Sequence, residues 1–544
     1  MNATIARVRQ RTAAPMMRFL SRVSPATTVL ALALFNIIAL LVMATRHLAY
    51  LQNDPLAPFY LIDQAYHGEL LVADRQPWLL PLLIGKALHG LSIADRYTLI
   101  MHASTAITTI FVGLTALPLF FLVRRFGSDR TAMIAVILLL TNAQFCISGL
   151  YLNPTVLLTF LVTLFFAVLV YWPPRAPLTL AAIAGLSVLI RHEGLILAAL
   201  LLWIIYWKYR QHDHSGRPAA SKAVAFLALI VVANYTVRLL WTADAIGFLR
   251  NTGTSDRFFS LLSFSPARVF SYLMAVLNYK MEKLDVIAAT LPLPLLALVP
   301  IGAVASLRKR SGAGFIMMYL PLYEAVVLIY LLVLPVSTYL LQNYSATNLL
   351  IDVRNVVRYY QVFTPMLLFF AAIGGAEVYH LISSKTSGKF DAQLVKAAYV
   401  IVAVFCINQQ FLLQTSYQFQ FVKAEPHAAE AFEAADWFRA KQIRRTPIGM
   451  IAPSLHPVHF AIMSGNNEVN CWGGQSDPNW DCEQAGRGAA TTLLQAGDPY
   501  FAYALIETGS AFAPPAGSYG AEFISSGGRY TILQNTRPAV ATPH

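Results

Sequence analysis

Long, unbroken apolar runs recur along the chain up to residue 413, at 28–45, 101–123, 131–149, 154–172, 178–190, 194–207, 223–241, 286–306, 315–337, 359–382 and 397–413. A helix that crosses a bilayer needs about 20 mostly apolar residues, so each run reads as a membrane span, the fifth and sixth being short. A β-barrel would instead show segments of about ten residues that alternate between apolar and polar, and that period is missing. Beyond residue 413 the pattern changes. AAEAFEAADWFRAKQI has a helical period that stops before Pro447, and IGMIA, YFAYALIE and RYTILQ read as strands separated by Gly- and Pro-rich loops. The predicted fold class is therefore an α-helical polytopic membrane protein of about eleven spans, residues 1–413, carrying a C-terminal α/β domain, residues 414–544. The closing RPAVATPH reads as a disordered tail.

Composition agrees with lipid as the main solvent. The 544 residues are 57% hydrophobic and only 12% charged, more apolar surface than a soluble core of this length hides. A net charge of +13 raises the question of nucleic acid, but the placement of the charge answers it. Arg7, Arg9, Arg11, Arg18 and Arg22 precede the first run, and later clusters fall at Arg124, Arg125 and Arg130, at Arg175, at Lys208 to Lys222, at Arg308 to Arg310, and at Lys385 to Lys396. All of them land on one side of the membrane when the spans are counted, and the positive-inside rule makes that side cytoplasmic. No nucleic-acid partner is expected. The basic N-terminus lacks an A-x-A-like cleavage site and reads as preceding an uncleaved anchor. The N-terminus is then cytoplasmic and the C-terminal domain exported, in a bacterial inner membrane the periplasmic side. Cys146 and Cys406 lie in apolar runs, whereas Cys471 and Cys482 flank NCWGGQSDPNWDC in the exported domain, where a disulfide suits an oxidising compartment; the competing metal site lacks further ligands at zinc spacing.

The cytoplasmic loops are short and the outer ones longer, so any chemistry faces outward. In 46–100, LAPFYLIDQAYHG and PWLLPLLIGKALHGL are amphipathic and too short to span, and are expected to lie in the interface; 242–285 has a similar aromatic and basic character. Four outer segments carry candidate chemistry. Asp54, with Asp63, Glu69, Asp74 and Arg75 following, could take a proton from a hydroxyl nucleophile or hold a divalent cation against a phosphate; the alternative is a solvated loop acid. The run Arg191, His192, Glu193, Gly194 sits between two short apolar helices, where Arg suits phosphate and Glu could orient it or a sugar hydroxyl, unless the two simply pair across a hairpin turn. In IDVRNVVRYYQVFTP, Arg354 and Arg358 share a helical face beside Tyr359, as a phosphate clamp or as snorkelling side chains. In GLYLNP, Tyr151 and Asn153 could reach the same cavity.

In this order the segments resemble the polytopic GT-C superfamily of glycosyltransferases, the class that includes protein mannosyltransferases and lipid A aminoarabinose transferases. The resemblance rests on Asp54 in the first outer loop, the Tyr60-containing interfacial stretch, the Pro-rich QPWLLPLL, the RHEG turn, RYYQVFTP and the exported α/β tail. It implies transfer of a sugar from a polyprenyl-phosphate donor to a glycan, lipid or protein acceptor outside the membrane. Asp54 inherits the role of base, with Asp63 as the substitute, and Arg191 with Arg354 or Arg358 that of neutralising the leaving phosphate. Two departures stand out. Asn53 and Pro55 flank Asp54 where many members carry an acidic pair, and Asn153 stands where members often have a second Asp, so a divalent metal is an option rather than a commitment. The rival reading is a multispan secondary transporter or flippase, for which Arg238 and Glu324 would mark the substrate path. Such transporters usually show paired repeats, and none is visible.

Overall fold

A computed structural model describes residues 24–46, 79–90, 96–150, 153–172, 176–191, 193–211, 217–241, 293–309, 312–339, 361–385, 388–418, 425–443, 446–452, 471–472, 501–510 and 517–536, with a few isolated positions between them. Helices overlie each of the expected runs. They are α1 (Pro25–Ala44), α2 (Leu79–Gly90), α3 (Arg96–Leu114), α4 (Ala116–Phe126), α5 (Asp129–Thr141), α6 (Ala143–Ile147), α7 (Pro154–Tyr171), α8 (Ala176–Ile190), α9 (Gly194–Gln211), α10 (Arg217–Trp241), α11 (Leu293–Lys309), α12 (Gly312–Tyr339), α13 (Thr364–Ser383) and α14 (Gly388–Tyr417). Among the described residues, five helical stretches are long and apolar enough by themselves to cross a membrane: 25–44, 105–126, 154–171, 361–383 and 390–417.

Short polar side chains set the boundaries. Ser24 accepts a hydrogen bond from the Thr27 amide at 3.2 Å and Pro25 supplies a helix-ready φ, which together start α1. Ser128 caps α5 in the same way, while Arg124 pairs with Asp129 at 2.7 Å across the turn from α4. The run 131–149 is not one helix. Asn142 takes an extended backbone and its side chain accepts from the Phe145 amide at 2.9 Å, so it ends α5 and caps α6. The next amide, that of Ala143, is satisfied by Gln409 of α14 at 2.9 Å.

By contact the chain forms two compact units, one of Met1–Val42 with Ala106–Gln414 and one of Met43–Thr105 with Thr415–His544. In the first, α11 and α13 approach backbone to backbone: a Cβ on Gly302 would lie 1.8 Å from the Phe370 carbonyl oxygen, and one on Gly374 would lie 2.1 Å from that of Leu298. Lys309 and Glu377 pair beyond this crossing. Along α14 the apolar residues Val400, Ile401, Val404, Ile407 and Phe411 are exposed, as a lipid-facing helix requires.

In the second unit the Tyr417 hydroxyl donates to the Met43 carbonyl at 2.8 Å. The last turns of α1 and α14 therefore lie side by side, and the chain leaves both helices on one face. The expected interfacial stretch PWLLPLLIGKALHGL contains the 12-residue helix α2, with Leu83 and Ile84 exposed; a Cβ on its Gly85 would meet the Ile62 carbonyl oxygen at 2.5 Å. The other expected interfacial segment, 242–285, lies outside the described residues. The expected tail helix is α15 (Glu425–Ala440), and the sheet has the order β2-β1-β3-β5-β4, built from β1 (Ile448–Ile451), β2 (Cys471–Trp472), β3 (Tyr503–Glu507), β4 (Tyr519–Ile524) and β5 (Tyr530–Asn535). Strands β1, β2 and β3 run parallel, and β3, β5 and β4 antiparallel. Trp437 and Phe438 of α15 pack edge-on against Tyr503 of β3, with ring centroids 5.8 and 5.5 Å apart. Cys471 lies in β2, and Cys482 lies outside the described residues.

Candidate active site

Buried polar groups collect where α7 begins. Asn153 has an extended backbone, its side-chain oxygen accepts from the Thr155 amide at 3.0 Å, and Pro154 takes the first helical position, so N-P-T starts the helix by local chemistry alone. The amide nitrogen of the same side chain donates to Gln361 Oε1 at 3.0 Å, and the Asn153 backbone N–H donates to the Thr108 hydroxyl at 3.5 Å. Asn153, Thr155, Thr108 and Gln361 are each at most 3% exposed, so these are interior bonds that water does not compete for.

The RHEG turn is sunk into the same region. Arg191 N–H donates to the Ser187 carbonyl at 2.9 Å, and Gly194 N–H returns to the Arg191 carbonyl at 2.9 Å, so α8 reverses into α9 within three residues. A Cβ on Gly194 would lie 2.2 Å from the Ser187 carbonyl carbon, and only glycine fits the turn. The tight reversal carries Arg191 inward, where it is 7% exposed. Its Nε and Nη2 donate to the two oxygens of Glu193 at 3.0 and 2.7 Å, and Nη1 donates to the Thr155 hydroxyl at 3.4 Å. This bidentate pair is the hairpin alternative weighed from the sequence, and the Thr155 contact ties it to α7. Burying such a pair adds little net stability, whereas removing one partner strands a charge at a cost of about 3–5 kcal/mol.

Gln361 opens a short 3-10 turn, Gln361–Phe363, that leads into α13. Beside it Tyr323 packs edge-on to Phe363 at 4.9 Å, then Tyr319 to Tyr323 at 5.8 Å and Phe166 to Tyr319 at 5.3 Å, an aromatic row joining α12 to α7 and the 3-10 turn. The Tyr319 hydroxyl is fully buried without a hydrogen-bond partner among the described residues. The structure thus brings together Asn153, Arg191 and Glu193 from two of the four outer segments, with Gln361 at the end of a third. Thr155, Tyr319 and Gln361 were not singled out by sequence. Asp54, Tyr60, Asp63, Arg75, Tyr151, His192, Arg354, Arg358 and Tyr359 lie outside the described residues.

For a metal the fit is poor at Asn153, because both ends of its carboxamide are already committed and an amide oxygen replaces the carboxylate. Among the described residues no group of three or more His, Cys, Asp or Glu side chains could hold an ion.

No protein-family model matches the sequence, and no curated protein does. Solved structures match over nearly the whole chain. ArnT from Cupriavidus metallidurans in the apo state is 13% identical with a TM-score of 0.54, covering 96% of this chain and 100% of that one. The same protein bound to undecaprenyl phosphate is 11% identical with a TM-score of 0.52, covering 95% and 99%. The apo oligosaccharyltransferase of Archaeoglobus fulgidus is 14% identical with a TM-score of 0.50, covering 94% of this chain and 75% of that one. At such identity the likeness is one of fold. The chain has the fold of these proteins, and its long apolar helices support a membrane location.

Proposed function

We propose that the protein is a membrane glycosyltransferase that moves a sugar from a polyprenyl-phosphate donor to an acceptor hydroxyl or amide outside the membrane, during assembly of an envelope glycan, glycolipid or glycoprotein. The observation that carries the reading is the fold match along 95% of the chain to a structure holding undecaprenyl phosphate. The buried Asn153–Thr155–Arg191–Glu193–Gln361 network supports it, because polar groups at this depth are expensive unless the protein uses or fully satisfies them. The membrane would be a bacterial inner membrane, with residues 414–544 forming a periplasmic domain.

In this reading Asp54, or Asp63 in its place, accepts the proton as the acceptor attacks the anomeric carbon. The bond from that carbon to the phosphate oxygen breaks, and the polyprenyl phosphate leaves with the bonding pair. Arg354 and Arg358 meet the charge that develops on the phosphate, which is where fixed donors lower a barrier most. Arg191 spends its guanidinium on Glu193 and Thr155, a neutral pair, so its part is to hold the RHEG turn against the start of α7 beside Asn153 rather than to meet the phosphate itself. A divalent metal would supply Lewis-acid activation of the phosphate, and no step above is routed through one.

Replacing Asp54 by Asn tests the reading. Transfer should fall at least about 100-fold, the usual scale for loss of a general base, with expression unchanged. Cells lacking the protein should accumulate a polyprenyl-phosphate sugar visible by mass spectrometry. Wild-type transfer by Asp54→Asn together with Asp63→Asn, or no lipid-linked species, would remove the reading.

A further inference from the structure

Two long helices begin at one place. Helix α7 starts at Pro154 behind its cap Asn153, α13 starts at Thr364 behind the turn Gln361–Phe363, and the Asn153–Gln361 bond at 3.0 Å ties the two starts together. The backbone fixes the direction of that bond. Asn153 Oδ1 accepts from the Thr155 amide at 3.0 Å, so Asn153 Nδ2 must donate and Gln361 can answer only with Oε1. The Gln361 Nε2 protons are therefore turned away from Asn153. They have no protein partner among the described residues, although Gln361 is only 3% exposed. The hydroxyl of Thr364, the first residue of α13, is likewise buried without a partner, in a residue 2% exposed. Interiors seldom leave such groups idle, and two side by side in the chain at one helix start call for a ligand that brings oxygen atoms.

Charge narrows what that ligand is. The N-termini of α7 and α13 meet here, and their dipoles disfavour an ammonium group. Arg191 is held through both oxygens of Glu193, at 3.0 and 2.7 Å, so the ion pair beside Thr155 is neutral and gives an added carboxylate no counter-charge. A lone charge of either sign at this depth is costly, whereas a neutral group rich in hydroxyl oxygens is not.

We propose that Gln361 and Thr364 form the subsite for the transferred sugar and select a neutral sugar over its amino or acidic counterpart. Gln361 Nε2 and the Thr364 hydroxyl donate to sugar hydroxyl oxygens, and the Thr364 oxygen accepts in return. The assignment rests on the lipid-linked donor proposed above. Its place along the chain fits, because Gln361 closely follows Arg358, and a sugar bonded to phosphate through its anomeric carbon lies next to whatever holds that phosphate.

The test offers the purified full chain in detergent a mixture of polyprenyl phosphate and the same lipid phosphate linked to glucose, mannose, glucosamine, mannosamine, glucuronic acid or mannuronic acid, and reads the retained species by native mass spectrometry. A neutral sugar should be retained about 10-fold better than polyprenyl phosphate itself and than its own amino and acidic counterparts. Thr364→Val should lower that retention about 10-fold, the scale of one buried hydrogen bond, while the unfolding temperature holds or rises because the hydroxyl has no protein partner to lose. Gln361→Glu keeps an acceptor for Asn153 but puts a carboxylate oxygen where the N–H groups were, and should turn the preference toward the amino sugar. Amino and neutral counterparts retained alike by the wild type would overturn the proposal, as would wild-type retention by both variants. Polyprenyl phosphate retained equally with and without a sugar would remove the subsite and leave the donor reading standing. Retention of no polyprenyl-phosphate species would remove both.

Discussion

Asn153 and Gln361 form a neutral, buried clamp where a carboxylate at position 153 would have demanded a cation. Gln361→Leu removes the acceptor but leaves the Asn153 N–H group in a dry interior, at a cost of roughly 1–3 kcal/mol. Thermal unfolding in detergent should show a lowered midpoint, and the loss should be smaller in an Asn153→Thr/Gln361→Leu double variant. Arg191 gives a sharper separation of structure from chemistry. Arg191→Met alone takes the bidentate partner from Glu193, whose side chain is only 15% exposed, and should lower stability. Arg191→Met with Glu193→Leu should recover most of that stability, and if the guanidinium serves transfer the recovered protein should still be inactive. In the C-terminal domain Glu430 links α15 to the β4–β5 turn. Burial pushes its carboxyl up, but the Ser525 hydroxyl, the Arg529 amide and guanidinium and the Gly527 amide outweigh this and hold it below the ordinary range. The folded form therefore binds its proton less readily than the unfolded form. Its contribution is complete above about pH 4.3, the ordinary glutamate value, and fades as pH falls through the folded one. Acid unfolding of the domain, followed by Trp437 fluorescence, should shift toward neutral pH in Ser525→Ala. Of these residues Asn153, Arg191 and Glu193 were legible, because a charged turn between two apolar helices and an N-P helix start are local signals. Gln361 was not, since its partner lies 208 residues away and two arginines upstream make the stronger pattern.

At the scale of elements, the apolar runs mark the helices well because lipid and protein interior ask for the same side chains. They do not mark interruptions within a run. Asn142 breaks 131–149 because a short carboxamide can serve as a helix cap, a choice decided by whether Gln409 is there to take the Ala143 amide. The strand β4 was missed for the opposite reason. YGAEFI is an edge strand, largely exposed and with a register shift between Ala521 and Phe523, so it carries no apolar run and a broken alternation. Helix packing offers a clean test at the crossing of α11 and α13. Gly302→Val or Gly374→Val places a side chain where the opposing helix has backbone carbonyl oxygens, which cannot rotate away. Either variant should force the helices apart and lower the yield of folded protein in detergent, whereas Gly314→Ala, with nothing within 4 Å of its Cβ, should not. Size-exclusion profiles of the three proteins make the comparison.

For the whole molecule, the decisive relation is which face each loop occupies, because a sugar donor and an acceptor can react only where both are present. The Tyr417 hydroxyl on the Met43 carbonyl brings the ends of α1 and α14 together, and the expectation is that the segment after α1 and the C-terminal domain share one side of the membrane. At about 1.5 Å per residue α14 is about 45 Å long, more than the hydrocarbon thickness, so its first residues and the basic turn before them are expected on the opposite side of the membrane. Single cysteines at Asn53 and Ser526, in a background lacking the native four, should therefore both react with a membrane-impermeant maleimide added from outside. A cysteine at Lys385 should react only after permeabilisation. Positive charge argues for the same assignment independently, since the loops containing Arg124, Lys208, Arg308 and Lys385 would then face the cytoplasm together. Labelling of position 53 and position 526 from opposite sides would leave no shared compartment for Asp54 and the C-terminal domain, and the glycosyltransferase reading would fail even with the fold intact.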